Sequence, residues 1–104
     1  MTLRTAEQRK ELCADCPVAR VADSLGDSCT ILIIRDLMTG PKRFTELQES
    51  LRGISSRTLT NKLKGLEKDG LIQQRSKGGY ALTKKGLALQ GILDAMRAYG
   101  KKYL

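Results

Sequence analysis

The sequence predicts a mainly α fold with one small β-hairpin, built as a single domain. Apolar residues return at three- and four-residue intervals through most of the chain, which is the helical period. Two short extended runs flank a tip containing Gly78 and Gly79, as a hairpin requires. At 104 residues there is room for one core. That core is aliphatic, because Phe44, Tyr80, Tyr99 and Tyr103 are the only aromatic side chains. So small a domain buries a modest share of its surface, which favours dimerisation.

A capping box, Thr5-Ala6-Glu7-Gln8, opens a short helix over residues 5–12. Pro17 suits a first helical position, and Val18, Val21, Ala22 and Leu25 follow at helical spacing until Gly26 closes the turn. Residues 30–39 contain Ile31-Leu32-Ile33-Ile34, a β-branched run that would suit a strand. The spacing of Ile31, Ile34, Leu37 and Met38 outweighs it, and the segment reads as a buried helix ended by Gly40-Pro41. A short helix begins at Phe44-Thr45-Glu46-Leu47-Gln48, with Thr45 as N-cap and Leu47 and Leu51 inward.

Gly53-Ile54 then makes a tight turn, Ser55 caps the next helix, and Ile54 staples onto Leu59. Leu59, Leu63 and Leu66 form the buried stripe of this helix, and Gly70 ends it. Residues 71–74 and 80–82 are the hairpin strands, with Arg75-Ser76-Lys77-Gly78-Gly79 between them. Thr83 caps a long final helix towards Tyr103, striped by Leu89, Ile92, Leu93, Met96, Tyr99 and Tyr103. A helical trio followed by a two-stranded wing is a winged helix-turn-helix, which sets one helix into a major groove.

The charge distribution supports that architecture. The net charge is +8, yet residues 42–85 hold 11 Lys/Arg against 4 Asp/Glu, and the remainder 8 against 7. A balance of +7 in the centre and +1 elsewhere points to a polyanionic partner. On the helix over residues 55–68, Arg57, Asn61, Lys64 and Lys68 project opposite the leucines, with Thr60 flanking. No carboxylate interrupts this face before Glu67. Arg, Asn, Lys, Ser and Thr are the groups that donate to guanine, adenine and phosphate. Backbone amides near Ser55 and Ser56 add an anion site.

A solvated face with incidental charge is the plain alternative. The capped helix before it, the basic tip after it and Lys42, Arg43, Lys84 and Lys85 at the segment boundaries weigh against that. Two rival functions share the fold: sequence-nonspecific nucleic-acid binding, and protein–protein interaction through the Leu-rich terminal helices. RNA is disfavoured, since no aromatic platform for unpaired bases is present.

Other classes find little support. The chain has no histidine to serve as a general base, and its carboxylates are scattered. No strand–glycine loop–helix unit offers a nucleotide site. No enzyme activity, cofactor or small-molecule substrate is therefore expected. No apolar run approaches the ~18 residues that span a bilayer, and residues 1–11 lack the apolar stretch of a signal peptide. A cytoplasmic protein with reduced thiols and no membrane partner is expected.

The thiols are Cys13, Cys16 and Cys29. Cys16 precedes Pro17 at a helix N-cap, where the dipole favours a thiolate, and Arg20 lies one turn on. That makes it a redox-sensing candidate; the competing reading is a small apolar residue in an interface. Cys13-Ala14-Asp15-Cys16 also suits thiol exchange. A closed zinc site needs four ligands, and beyond this pair only Cys29 and no histidine could add to them. A site shared between two subunits could supply Cys13 and Cys16 twice, but nothing in the sequence demands it, and no metal is expected.

A family resemblance follows from motifs in a fixed order. They are Cys16-Pro17-Val18, Gly26, Ile31-Leu32-Ile33-Ile34-Arg35-Asp36-Leu37, Gly40-Pro41 and Arg43-Phe44-Thr45-Glu46-Leu47. Gly53-Ile54-Ser55, Leu59-Thr60, Leu63, Leu66-Glu67-Lys68-Asp69-Gly70-Leu71-Ile72 and Tyr80-Ala81-Leu82-Thr83-Lys84-Lys85-Gly86 continue the series. Over residues 16–100 the chain resembles the HxlR-type winged-helix regulators of bacteria and archaea. It departs from their pattern in having Cys29 where a tryptophan is usual, a shorter wing and the extra thiol Cys13.

The resemblance implies a sequence-specific, DNA-binding transcriptional regulator that acts as a homodimer on a pseudo-palindromic operator in double-stranded DNA. It implies a base-reading helix over residues 55–64, a wing tip over 75–79, and redox or electrophile sensing through Cys16, with Cys13 as its neighbour. The expected single domain, 1–104, divides into an N-terminal dimerisation segment (1–15), a DNA-binding core and wing (16–83) and a C-terminal dimerisation helix (84–104). DNA contacts are expected from Arg43, Thr45, Ser55, Ser56, Arg57, Thr58, Thr60, Asn61, Lys64, Arg75 and Lys77. The dimer interface is expected from Leu3, Leu12, Val18, Leu89, Ile92, Leu93, Met96, Tyr99 and Tyr103.

Overall fold

A computed structural model of the chain describes residues 16–76 and 78–104. The helix expected over 5–12 lies outside them, as do Leu3, Leu12, Cys13 and Lys77. Helix α1 (Pro17–Leu25) begins as the Cys16-Pro17 pair dictates and closes at Gly26, whose φ of +70° an L side chain rarely adopts. Helix α2 (Ser28–Leu37) starts two residues before the expected position, because Asp27 caps it: Asp27 Oδ1 accepts from the Thr30 amide at 2.9 Å. The isoleucine run is helical, and Thr30, Ile33, Ile34 and Leu37 are buried.

Two differences follow. Residues Lys42–Arg43 form a strand, β1, where no strand was expected. Helix α3 (Phe44–Ser50) is capped at Arg43 rather than Thr45, and the Arg43 amide donates to Glu46 Oε1 at 3.0 Å. The glutamate three residues into the helix satisfies a free amide that the Thr45 hydroxyl is placed too late to reach. Helix α4 (Ser56–Lys68) follows the turn at Gly53 and is capped as expected, Ser55 Oγ accepting from the Thr58 amide at 3.1 Å.

The wing consists of β2 (Ile72–Arg75) and β3 (Gly79–Leu82), antiparallel, with Ile72 opposite Leu82 and Arg75 opposite Gly79. Strand β1 pairs with the other edge of β3, Lys42 opposite Tyr80, which gives a three-stranded sheet of order β1-β3-β2. Leu59, Leu63 and Leu66 of α4 close onto Ile33, Ile34 and Leu47 in a single aliphatic core. Each such buried side chain stabilises the fold by roughly 1.5–3 kcal/mol over leaving it in water.

The expected single C-terminal helix is two helices, α5 (Lys84–Leu87) and α6 (Gln90–Tyr103). Thr83 caps only the first, through the Gly86 amide at 3.2 Å. Gly86 is pressed onto the wing's base so closely that a Cβ there would lie 2.2 Å from the Leu71 carbonyl oxygen. The Leu89 amide then bonds the Gly86 carbonyl, three residues back, at 3.0 Å. Beyond this tight turn α6 keeps only Leu93 buried in the core.

Candidate nucleic-acid interface

Helix α4 carries two faces because its leucines recur at positions 59, 63 and 66. All three are buried, while Arg57, Asn61, Lys64 and Lys68 are exposed and Thr60 is half-buried between the faces. Among the described residues, no hydrogen bond or ion pair engages the side chains of Arg57, Asn61 or Lys64. They are therefore available to an outside partner. The helix N-terminus is more committed than its sequence suggests. Ser55 Oγ donates to Thr58 Oγ1 at 2.9 Å while accepting the Thr58 amide, so both hydroxyls serve the cap.

The other expected contacts lie on neighbouring elements or at the start of α4 itself. Arg43 and Thr45 are exposed at the start of α3, and Arg75 is exposed at the end of β2. Ser56 is exposed, and its Oγ accepts a hydrogen bond from Gln48 Nε2 at 3.0 Å. Lys85 is turned onto the end of α4, where its Nζ donates to the Asp69 carbonyl at 2.8 Å, complementing the negative end of the helix dipole.

Three polar ties that hold α4 went unseen in the sequence. Gln48 reaches its first turn, and Gln74 Nε2 donates to Glu67 Oε1 at 3.2 Å near its end. Midway, Lys62 Nζ forms an ion pair with Asp27 Oδ2. Burial pushes the Asp27 carboxyl upward, but the Lys62 hydrogen bond and the Thr30 amide outweigh that and hold it below its usual value. A signal for the Lys62 tie did exist: at 100° per residue Lys62 lies about 140° around the helix from Arg57, beside the leucines. The Asp27–Thr30 cap spacing was the other sign.

Cys16 is exposed, and its Sγ accepts from the Ala19 amide at 3.4 Å, so it stands at the N-cap as expected. Cys29 is half-buried. Of the residues expected at a dimer interface, Leu93 is buried in the chain's own core and Leu89 packs against it. Val18 is 79% exposed, and Ile92, Met96, Tyr99 and Tyr103 leave an apolar stripe along the outside of α6. The Tyr99 and Tyr103 rings lie 4.9 Å apart on it. Among the described residues, no helix is long and apolar enough to cross a membrane, and no group of three or more His, Cys, Asp or Glu is placed to hold a metal.

The family model for HxlR-like helix-turn-helix proteins matches residues 24–104. The HTH-type transcriptional regulator YodB of Bacillus subtilis is 38% identical over 85% of this chain and 85% of its own length. The HTH-type transcriptional regulator sll1512 of Synechocystis sp. is 34% identical over all of this chain and 82% of its own. The crystal structure of quinone-bound YodB superposes with a TM-score of 0.77 at 37% identity, covering 85% of this chain and 99% of that one. The redox regulator HypR in its reduced form gives a TM-score of 0.77 at 28% identity, over 84% of this chain and 92% of the other.

Proposed function

Because this chain belongs to the HxlR-like helix-turn-helix family of transcriptional regulators, we propose that it reads a pseudo-palindromic operator as a homodimer, with α4 in the major groove. The observation that carries the reading is the face of α4. Arg57, Asn61 and Lys64 stand exposed and uncommitted over a fully buried leucine stripe. Arg matches the acceptor pair of guanine and Asn the donor–acceptor pair of adenine, so these residues choose sequence. Arg43, Thr45, Ser56 and the wing residue Arg75 surround them as phosphate contacts, which set register and supply most of the affinity. Ser55, Thr58 and Thr60 support the same helix end.

The second copy covers the apolar stripe of α6 and the exposed Val18 of α1. Redox control acts through Cys16. Its sulfur is exposed at a helix N-terminus, and YodB and HypR, to which the chain is similar, have been solved in quinone-bound and reduced forms respectively. Selection of bound duplexes from a random pool, with and without a thiol oxidant, tests both parts. Enrichment of a two-fold symmetric sequence, weakened by oxidant, is expected. Recovery of the pool without enrichment would make this a nonspecific binder.

A further inference from the structure

We propose that the Asp27–Lys62 ion pair is the positioning device of the reading helix: it sets where α4 presents Arg57, Asn61 and Lys64, and Lys62 itself makes no contact with DNA. The inference deepens the reading above and rests on it.

Lys62 is one of four lysines and arginines on α4 between Arg57 and Lys68, and by charge alone it would count as a phosphate ligand. Its direction says otherwise. The side chain is turned about 140° from Arg57, towards the buried leucines, and its ammonium meets Asp27 Oδ2. The Asp27 side chain is only 20% exposed and that of Lys62 31%, so solvent screens the pair weakly.

Asp27 is a firm anchor. Its amide donates to the Leu25 carbonyl at 2.8 Å, its own carbonyl accepts from Ile31 at 3.2 Å, and Oδ1 caps α2 through Thr30 at 2.9 Å. One carboxylate therefore divides its oxygens between two helices, Oδ1 to α2 and Oδ2 to α4. Among the described residues, this is the one ion pair that joins α4 to another element. The leucine stripe supplies most of the adhesion, and because the hydrophobic driving force is itself non-directional, polar ties refine how α4 is set upon it. A charged hydrogen bond at mid-helix supplies the direction. A base-reading side chain misplaced by an ångström loses its paired hydrogen bonds to the base edge, while phosphate contacts adjust.

Two substitutions separate this from simpler roles. Asp27→Asn keeps a good N-cap for α2, so the helix remains capped. It removes a negative charge, which by electrostatics alone would strengthen binding to any duplex. Positioning predicts the opposite sign on a preferred duplex. Lys62→Met removes a cation from each subunit; were Lys62 a phosphate ligand, the salt-dependence slope of the dimer on any duplex would fall by about 1.8, roughly 0.9 per subunit.

The experiment uses two probes, a duplex enriched from a random pool by the wild-type protein and a shuffled duplex of the same composition. Each is titrated across salt with wild type, both single variants and the double, well below the melting temperature of each. The enriched-to-shuffled affinity ratio should fall roughly tenfold in each single variant, with the double no worse than the weaker single, as coupled residues behave. The slope on the shuffled duplex should not change. An unchanged ratio in the variants, or a slope lower by about 1.8 in Lys62→Met, overturns the clamp and leaves the DNA-reading function standing. A wild-type protein that cannot tell the two duplexes apart overturns both.

Discussion

Arg57 and Asn61 stand one turn apart on α4, and their loss should read differently from the loss of a wing cation. Arg57→Ala and Asn61→Ala should each cost about 1–3 kcal/mol on an enriched duplex and little on a shuffled one, by fluorescence anisotropy. Arg75→Ala, at the wing, should weaken both duplexes alike and lower the salt slope of the dimer by about 1.8, roughly 0.9 per subunit. Equal losses from all three on both probes would reduce α4 to a charged surface. Cys16→Ser should bind the enriched duplex as wild type does while ignoring diamide; a variant still released by diamide would move the sensing thiol elsewhere. Asp27 adds a pH signature. Its carboxyl titrates lower in the folded chain than the ~3.9 of an unfolded aspartate. Its stabilisation is therefore complete above that pH and lost as pH falls through the folded value. Urea midpoints should show Asp27→Asn less stable than wild type at neutral pH, with the gap closing in acid below about pH 3.9. A gap of the same size at both ends would mean that the charge of Asp27 contributes nothing.

Among the elements, α5 makes the most exacting demand on one residue. Gly86 lies against the Leu71 carbonyl, where a Cβ would come within 2.2 Å of backbone oxygen, and that oxygen also accepts the Thr83 amide at 3.0 Å. Gly86→Ala should therefore push α5 off the wing's base and lower stability by about 3 kcal/mol, read as a shift in urea midpoint. An unchanged midpoint would show that α5 rides loosely. Nothing in the sequence announced this contact, because a glycine at a tight packing point looks like any other glycine. The break before α6 was hidden as well: the stripe of Leu89, Ile92, Leu93, Met96, Tyr99 and Tyr103 begins only at the cap of α6, and the four residues of α5 are too few to show a period of their own. Strand β1 was hidden for another reason, since two residues cannot display an alternating pattern and their pairing with β3 is non-local. By contrast α4 was legible almost in full, from cap to buried stripe to exposed face, because periodicity states which side each residue occupies. It could not state which cation is spent inward. The Lys62–Asp27 pair joins residues 35 positions apart, a relation that only the packed helices reveal.

For the molecule as a whole, the exposed stripe of α6 is the feature a single chain leaves unsatisfied. Met96 is 47% exposed, Tyr99 61% and Tyr103 62%, on a helix whose other side anchors only Leu93 in the core. A small soluble protein seldom leaves such a row of large apolar groups in water unless another surface meets it. A second copy suits that stripe for a functional reason as well. In the proposed dimer each α4 takes one half-site, and two held by an α6 interface can read half-sites a helical turn, roughly 34 Å, apart. Linkage through the dimer makes the second binding event effectively intramolecular. Met96→Glu should place a charge in the middle of the stripe and yield a monomer by light scattering, with α4 and its face unchanged. Affinity for an enriched two-fold duplex should then drop by about a hundredfold, while binding to a single half-site stays as it was. If Met96→Glu remained dimeric and bound the symmetric duplex like wild type, the stripe would belong to some other partner. The two reading helices would then have to be brought together by a different surface.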